Sequence, residues 1–172
     1  MALAGNETPM IEWFALQTRY RFEKKVAAQL NQKSLESYLP LRMEKHAWSD
    51  REKSVSIPLF PGYVFVNLDP SCDARRVVLQ TAGLIGFVNF GGRVSAVPRK
   101  QIEDLQLLLQ EKVSFSLYPF VHVGQRVRIR GGCLNGIEGV LMQQEKTKLV
   151  ISVESIQRSL AIELQGYELD LA

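Results

Sequence analysis

From residue 125 onward the chain is written in short β-prone runs divided by glycine, and that pattern limits the fold more than any other feature. Val127 and Ile129 alternate with Arg126, Arg128 and Arg130. A period of two sends apolar and charged side chains to opposite faces of a strand. Further runs follow at 137–142, 149–153, 160–164 and 167–171, with glycines 131, 132, 136, 139 and 166 around and between them. Each interior glycine costs a helix about 1 kcal/mol. Val150, Ile151 and Val153 add β-branched residues, which favour strands. Five short strands in about 50 residues predict a small β-barrel. The same pattern argues against a helical hairpin over 125–164.

The preceding part has a different rhythm. Residues 13–20 are short, aromatic and strand-like. Phe22, Val26 and Leu30 recur every fourth residue with Lys24, Lys25 and Gln29 between them, the pattern of an amphipathic helix. Residues 37–43 and 54–59 read as strands flanking a polar hairpin at 44–53. A strong strand follows at 63–68, a short helix at 74–81, and another strand at 84–90, closed by Gly91 and Gly92. Pro98 opens a helix, where its fixed φ suits the first turn. Ile102, Leu105, Leu108 and Leu109 form the buried stripe of that helix. The mixture predicts an α+β fold: an N-terminal α/β sandwich over 1–112 with a mostly antiparallel sheet, then the barrel over 121–172. The connection, 113–120, reads VSFSLYPF. Flexible linkers are usually polar, so part of this one is expected to pack against a domain.

Composition narrows the function. A chain of 172 residues, 46% apolar and 23% charged, suits two small globular domains. No apolar run approaches the roughly 20 residues that span a bilayer. The N-terminus lacks the basic and apolar regions of a signal peptide, so a cytoplasmic location is expected. Cys72 and Cys133 lie far apart and form no CxxC, so neither a metal site nor a disulfide framework is expected. His46 and His122 lack partners at a catalytic spacing, and no GxSxG, HExxH or Walker A motif is present. Glu103 and Asp104 are expected on the exposed side of a helix as solvated charges. The sequence therefore predicts neither an enzyme nor a cofactor.

The net charge of +3 is unevenly placed. Residues 1–112 carry 15 Lys and Arg against 12 Asp and Glu, while 113–172 carry six of each. Arg19, Arg21, Lys24 and Lys25 crowd the first strand–helix junction, opposed only by Glu23, and Arg75 and Arg76 open the short helix. Singly these are solvated surface charges; as a group they could bind a phosphate backbone. In the strand at 63–68, Val64, Val66 and Leu68 share the face expected to be covered by helix. Tyr63 and Phe65 share the other. Alternation alone favours a second core layer under another helix. If that face is open, it forms an aromatic binding patch with Phe60 and, from the neighbouring strand, Phe87 and Phe90.

Two motif pairs carry a resemblance. The first is Trp13-Phe14-Ala15-Leu16-Gln17-Thr18 followed by Pro58-Leu59-Phe60-Pro61-Gly62-Tyr63-Val64-Phe65-Val66. The second is Val127-Arg128-Ile129 followed by Gly132-Cys133-Leu134-Asn135-Gly136-Ile137-Glu138-Gly139-Val140. In this order they resemble the NusG family of bacterial transcription elongation factors, the first its N-terminal (NGN) domain and the second the KOW motif of its SH3-like barrel. The segment 58–65 and the compact 12–98 region look most like the specialised, RfaH-type antiterminators.

The resemblance implies a monomer without a cofactor. It implies an RNA polymerase-binding patch of Phe60, Tyr63, Phe65, Phe87 and Phe90, docked on the helices of the β′ clamp and bridging toward the β subunit. It places Arg19, Arg21, Lys24, Lys25, Arg75 and Arg76 near the upstream DNA fork and the non-template strand, with no base-reading code. Gly136 and Gly139 match the glycines of the KOW turn. The barrel would recruit Rho or a small-subunit ribosomal protein, and Ile156 stands where housekeeping members place a phenylalanine. RfaH itself stores its C-terminal domain as a helical hairpin over the polymerase site; the glycines predict a barrel here, without stable autoinhibition. Two alternatives remain: a housekeeping factor coupling polymerase to Rho or the ribosome, and a stand-alone RNA-binding or ribosome-associated KOW protein. The second expects a basic barrel, whereas 113–172 is neutral.

Overall fold

The computed structural model describes residues 10–48, 51–70, 72–120, 124–142 and 147–172. Expectations stated for residues 1–9, for the hairpin tip at 49–50, for His122 and for the side chains of His46 and Cys72 lie outside the described residues. The N-terminal unit is built on β1 (Glu12–Thr18), which pairs antiparallel with β5 (Tyr63–Leu68), β6 (Leu84–Phe87) and β9 (Ala96–Val97). β2 (Glu36–Tyr38) adds beyond β5, giving the order β2-β5-β1-β6.

Alternation along β1 and β5 makes two apolar layers. Phe14, Leu16, Val64, Val66 and Leu68 face α1 (Glu23–Gln32) and α2 (Cys72–Leu79), packing with Val26, Leu30 and Val78. Trp13, Ala15 and Phe65 face the other way, toward α3 (Arg99–Gln110) and its Ile102, Leu105 and Leu108. Of the stripe expected at Ile102, Leu105, Leu108 and Leu109, the first three are buried and Leu109 is half-buried, and Pro98 sits at the N-cap of α3.

Three expectations need correction here. The strands around the polar hairpin at 44–53 run into it rather than only flanking it: β3 (Leu41–Trp48) and β4 (Arg51–Pro58) form a long two-stranded arm, paired from Leu41–Pro58 to Trp48–Arg51. Its sequence offers no continuous apolar face, so it carries no strand periodicity. Second, the strand at 84–90 breaks at Val88, after which β7 (Asn89–Phe90) and β8 (Arg93–Val94) form a separate hairpin across Gly91 and Gly92. Third, Asp104 is only 5% exposed. It lies on the same side of α3 as Leu105 and Leu108, while Glu103 is exposed.

The C-terminal unit contains all five predicted strands: β11 (Gln125–Arg130), β12 (Glu138–Leu141), β13 (Lys148–Val153), β14 (Arg158–Glu163) and β15 (Glu168–Leu171). A sixth joins them. β10 (Phe115–Tyr118), drawn from the apolar connection, pairs with β14 from Phe115–Ile162 to Tyr118–Ser159 and gives the order β10-β14-β13-β12-β11-β15. Val127, Ile129, Leu134, Ile137, Leu149, Ile151, Val153, Leu160 and Ile162 fill the barrel. This cluster is continuous with the apolar layer under α3.

Candidate functional site

The motif 58–66 places a turn between β4 and β5. Gly62 adopts φ +85, a left-handed conformation that glycine enters without the Cβ penalty. Its carbonyl accepts from the Thr18 N–H at 2.8 Å. Its own N–H donates to Glu23 Oε1 at 2.7 Å. Glu23 is 3% exposed and stands in the first turn of α1, where a carboxylate also complements the helix dipole. Sequence reasoning treated Glu23 as a lone counter-charge. Its role as the anchor of the turn was missed, because the partner lies 39 residues away.

The five aromatic residues do not share one open face. Phe60 and Phe65 are 2% and 0% exposed, and Phe65 stacks on Tyr38 with ring centroids 6.3 Å apart. Trp13 meets Tyr38 edge-on at 6.5 Å. Burial pushes the Tyr38 hydroxyl pKa upward. These rings form the second core layer under α3, the arrangement alternation alone favoured. Tyr63 packs against that layer but stays half-buried. Phe87 lies on the opposite face of the sheet, edge-on to Phe14 at 6.0 Å. Phe90 is 62% exposed on the β7–β8 hairpin.

Most of the basic residues make contacts of their own. Lys24 Nζ donates to the Ser56 carbonyl at 2.6 Å, tying α1 to the base of the β3–β4 arm. Lys25 stands 5.5 Å from the Phe22 ring, and Arg21, itself at φ +65, lies 5.3 Å from the Tyr20 ring. Arg19 is exposed beside the Gly83 carbonyl, to which its N–H donates. Arg75 lies over Phe87 at 5.4 Å, and Arg76 is exposed on α2.

In the barrel, Gly136 has φ +90. A Cβ on Gly139 would stand 2.6 Å from the Val150 carbonyl oxygen and 2.8 Å from Leu149 Cγ. One glycine thus meets a conformational demand and the other a demand for space. Ile156, on a single 3-10 turn at Glu154–Ile156, is 4% exposed; that turn contacts β9. Lys100 and Asp104 of α3 reach the turn between β11 and β12. Lys100 Nζ donates to the Gly136 carbonyl at 2.7 Å and also to Asp104 Oδ1. Asp104 Oδ2 accepts from the Glu138 N–H at 3.2 Å. Burial raises the Asp104 carboxyl pKa, opposed by its bonds to Lys100 and Glu138. Sequence reasoning did not single out Lys100. No group of His, Cys, Asp and Glu that could hold a metal occurs among the described residues. No helix among them is long and apolar enough to cross a membrane.

A family profile described as "Transcription termination factor nusG" matches residues 11–106. Curated relatives include the transcription termination/antitermination protein NusG of Lactococcus lactis, 29% identical over 92% of this chain and 91% of that one. The protein of the same name from Borreliella burgdorferi is 24% identical over 88% and 94%. Among solved structures, one titled "Domain interaction in Thermotoga maritima NusG" superposes with a TM-score of 0.54 at 21% identity, covering 92% of this chain and 97% of that one. The fold is therefore that of a two-unit NusG protein, and the profile match extends over more than half the chain. The chain belongs to the NusG family of transcription factors.

Proposed function

We propose that this protein binds RNA polymerase through the surface around the 60–63 turn and suppresses pausing or termination, as a specialised antiterminator. One observation carries the reading. Within the family match, Tyr63 is held half-exposed at the end of a turn clamped by both Glu23 and Thr18. A rigid, partly buried ring is what an interface anchor requires, because little side-chain freedom is lost on docking. The partners fitting the reading are the β′ clamp helices and the β subunit. Upstream non-template DNA would pass near Arg19, Arg21, Arg75 and Arg76. The mechanism needs no covalent step: a factor with higher affinity for the closed, active clamp shifts the population toward it.

Binding to a reconstituted elongation complex tests this. Truncating an aromatic anchor often costs about 2 kcal/mol or more, so Tyr63→Ala should weaken affinity roughly 30-fold with the fold intact by circular dichroism. Unchanged affinity would move the docking surface elsewhere. Phe60 and Phe65 are unsuitable probes, since truncating a fully buried ring costs the fold itself about 3–5 kcal/mol.

A housekeeping role, coupling polymerase to Rho or a ribosomal protein through the barrel, is the second reading. The names of the relatives favour it, as each is a termination/antitermination protein. Rho-dependent termination on a defined template separates the two: stimulation supports the housekeeping role, and suppression the antiterminator.

A further inference from the structure

We propose that a cleft between α2 and the β7–β8 hairpin is a nucleotide site, taking a nucleobase on its floor and the attached phosphate on its rim. The cleft lies at the end of the sheet where β1 and β5 pair as Glu12–Leu68. The 60–63 turn lies at the other end, beside the Gln17–Tyr63 pair. The cleft measures about 590 Å3, within the range of small-molecule sites. Phe14, Leu68 and Phe87 give it an apolar floor. α2 contributes Arg75 to its wall, and the hairpin contributes Asn89 and Arg93. None of these residues belongs to the 60–63 turn, so the site stands whether or not that turn docks polymerase.

The chemistry of the lining selects the ligand. Arg75 and Arg93 are both exposed, and neither has a carboxylate partner among the described residues. Glu12 is the one carboxylate among the lining residues. Two guanidinium groups converging on one cleft raise the local concentration of anions. The Arg75 guanidinium also lies over the Phe87 ring, 5.4 Å from its centroid. Guanidinium planes and aromatic rings are the surfaces on which unpaired bases stack. An aliphatic anion would leave that platform unused, and an uncharged ring would leave Arg93 unused. A nucleotide uses both. Asn89 is exposed on the hairpin and carries both a donor and an acceptor, the groups that a base edge engages. Gly92, at φ +81, lines the same wall without a side chain, so the main chain can approach a ligand closely there. The same chemistry is offered by a free nucleotide and by an unstacked nucleotide of a single strand.

Titration of the isotope-labelled full chain with adenosine monophosphate, followed by NMR, tests the site without polymerase. The amide signals of Arg93, Val94 and Ala96 should shift and saturate, while that of Tyr63 stays in place. Adenosine alone and inorganic phosphate alone should each bind at least about tenfold more weakly, since each gives up either the charged contact or the stack. Arg93→Met and Arg75→Met should each weaken the monophosphate by at least about tenfold. Both side chains are exposed, so the thermal midpoint should not move. Tyr63→Ala should bind the monophosphate like the wild type, which keeps failure of polymerase docking and failure of this site apart. A short single-stranded oligonucleotide that shifts the same amides at least about tenfold more tightly would identify a nucleic-acid strand as the source of the nucleotide; equal or weaker binding would identify the free nucleotide. No saturable shift with either nucleotide probe, adenosine or phosphate alone binding as well as the monophosphate, or either arginine variant binding normally would overturn the proposal.

Discussion

At the scale of single residues, the sharpest constraints come from atoms that leave no room or no solvent. A side chain at position 139 would meet the Val150 carbonyl oxygen. Forcing extra atoms into a packed site costs about 1–3 kcal/mol, so Gly139→Ala should lower the thermal midpoint of the protein by several degrees. A methyl group on Gly86 would meet nothing within 4 Å, and Gly86 has no positive φ, so Gly86→Ala should stay within about 0.5 kcal/mol of the wild type; equal losses at the two sites would refute the steric account. Asp104 gives a pH signature. Burial raises its carboxyl pKa, so the folded state holds that proton more tightly than the unfolded chain. The group's contribution to stability is therefore most favourable below the ordinary carboxylate value, declines as pH rises through the raised value, and is level above it. Denaturant titrations between about pH 4 and pH 7 should show the wild type losing stability relative to Asp104→Asn as pH rises. A pH-independent difference would contradict this. Sequence alone placed Asp104 in solvent because a carboxylate beside Glu103 reads as surface charge; its neighbours on α3 were readable, but the turn covering it is supplied 34 residues later.

At the scale of elements, legibility followed periodicity. β5, α1, α3 and β11 were announced by one-sided apolar spacing, and Val64, Val66, Leu68, Val26, Leu30, Ile102, Leu105, Leu108, Val127 and Ile129 are buried as that spacing implied; β12 to β15 were announced only as β-rich runs between glycines, with no face assigned. The β3–β4 arm was not, since a two-stranded ribbon outside both cores needs no apolar face. β10 was half-legible: the aromatic character of 113–120 implied packing, and the pairing with β14 shows what it packs on. That pairing has a measurable consequence. A fragment beginning at residue 113 should be more stable than one beginning at 121, by about 1–2 kcal/mol for a four-residue strand with its ladder bonds, which raises the midpoint by roughly 4–16 °C in a domain this small. Equal midpoints would show that β10 adds nothing to the barrel. A helical far-ultraviolet spectrum from either fragment would contradict the barrel itself.

At the scale of the whole molecule, the candidate surfaces were the least legible part. The rings singled out in sequence do not share one open face, because which side of a sheet a residue lies on can be read locally, whereas what covers that side cannot. Phe60 and Phe65 lie in the core layer shared with α3, and the turn carrying Ile156 meets β9; both neighbours come from remote segments of the chain.

The paired state of β10 has a consequence for how far the barrel can travel. With β10 zipped to β14, only residues 111–114 separate the end of α3 from the barrel sheet. Five extended steps reach about 18 Å. On so short a leash, the barrel stays near the end of α3 at an effective local concentration in the millimolar range. Peeling β10 away would lengthen the leash and let the barrel range through a larger volume around α3, so the pairing of one short strand sets how far the barrel can travel.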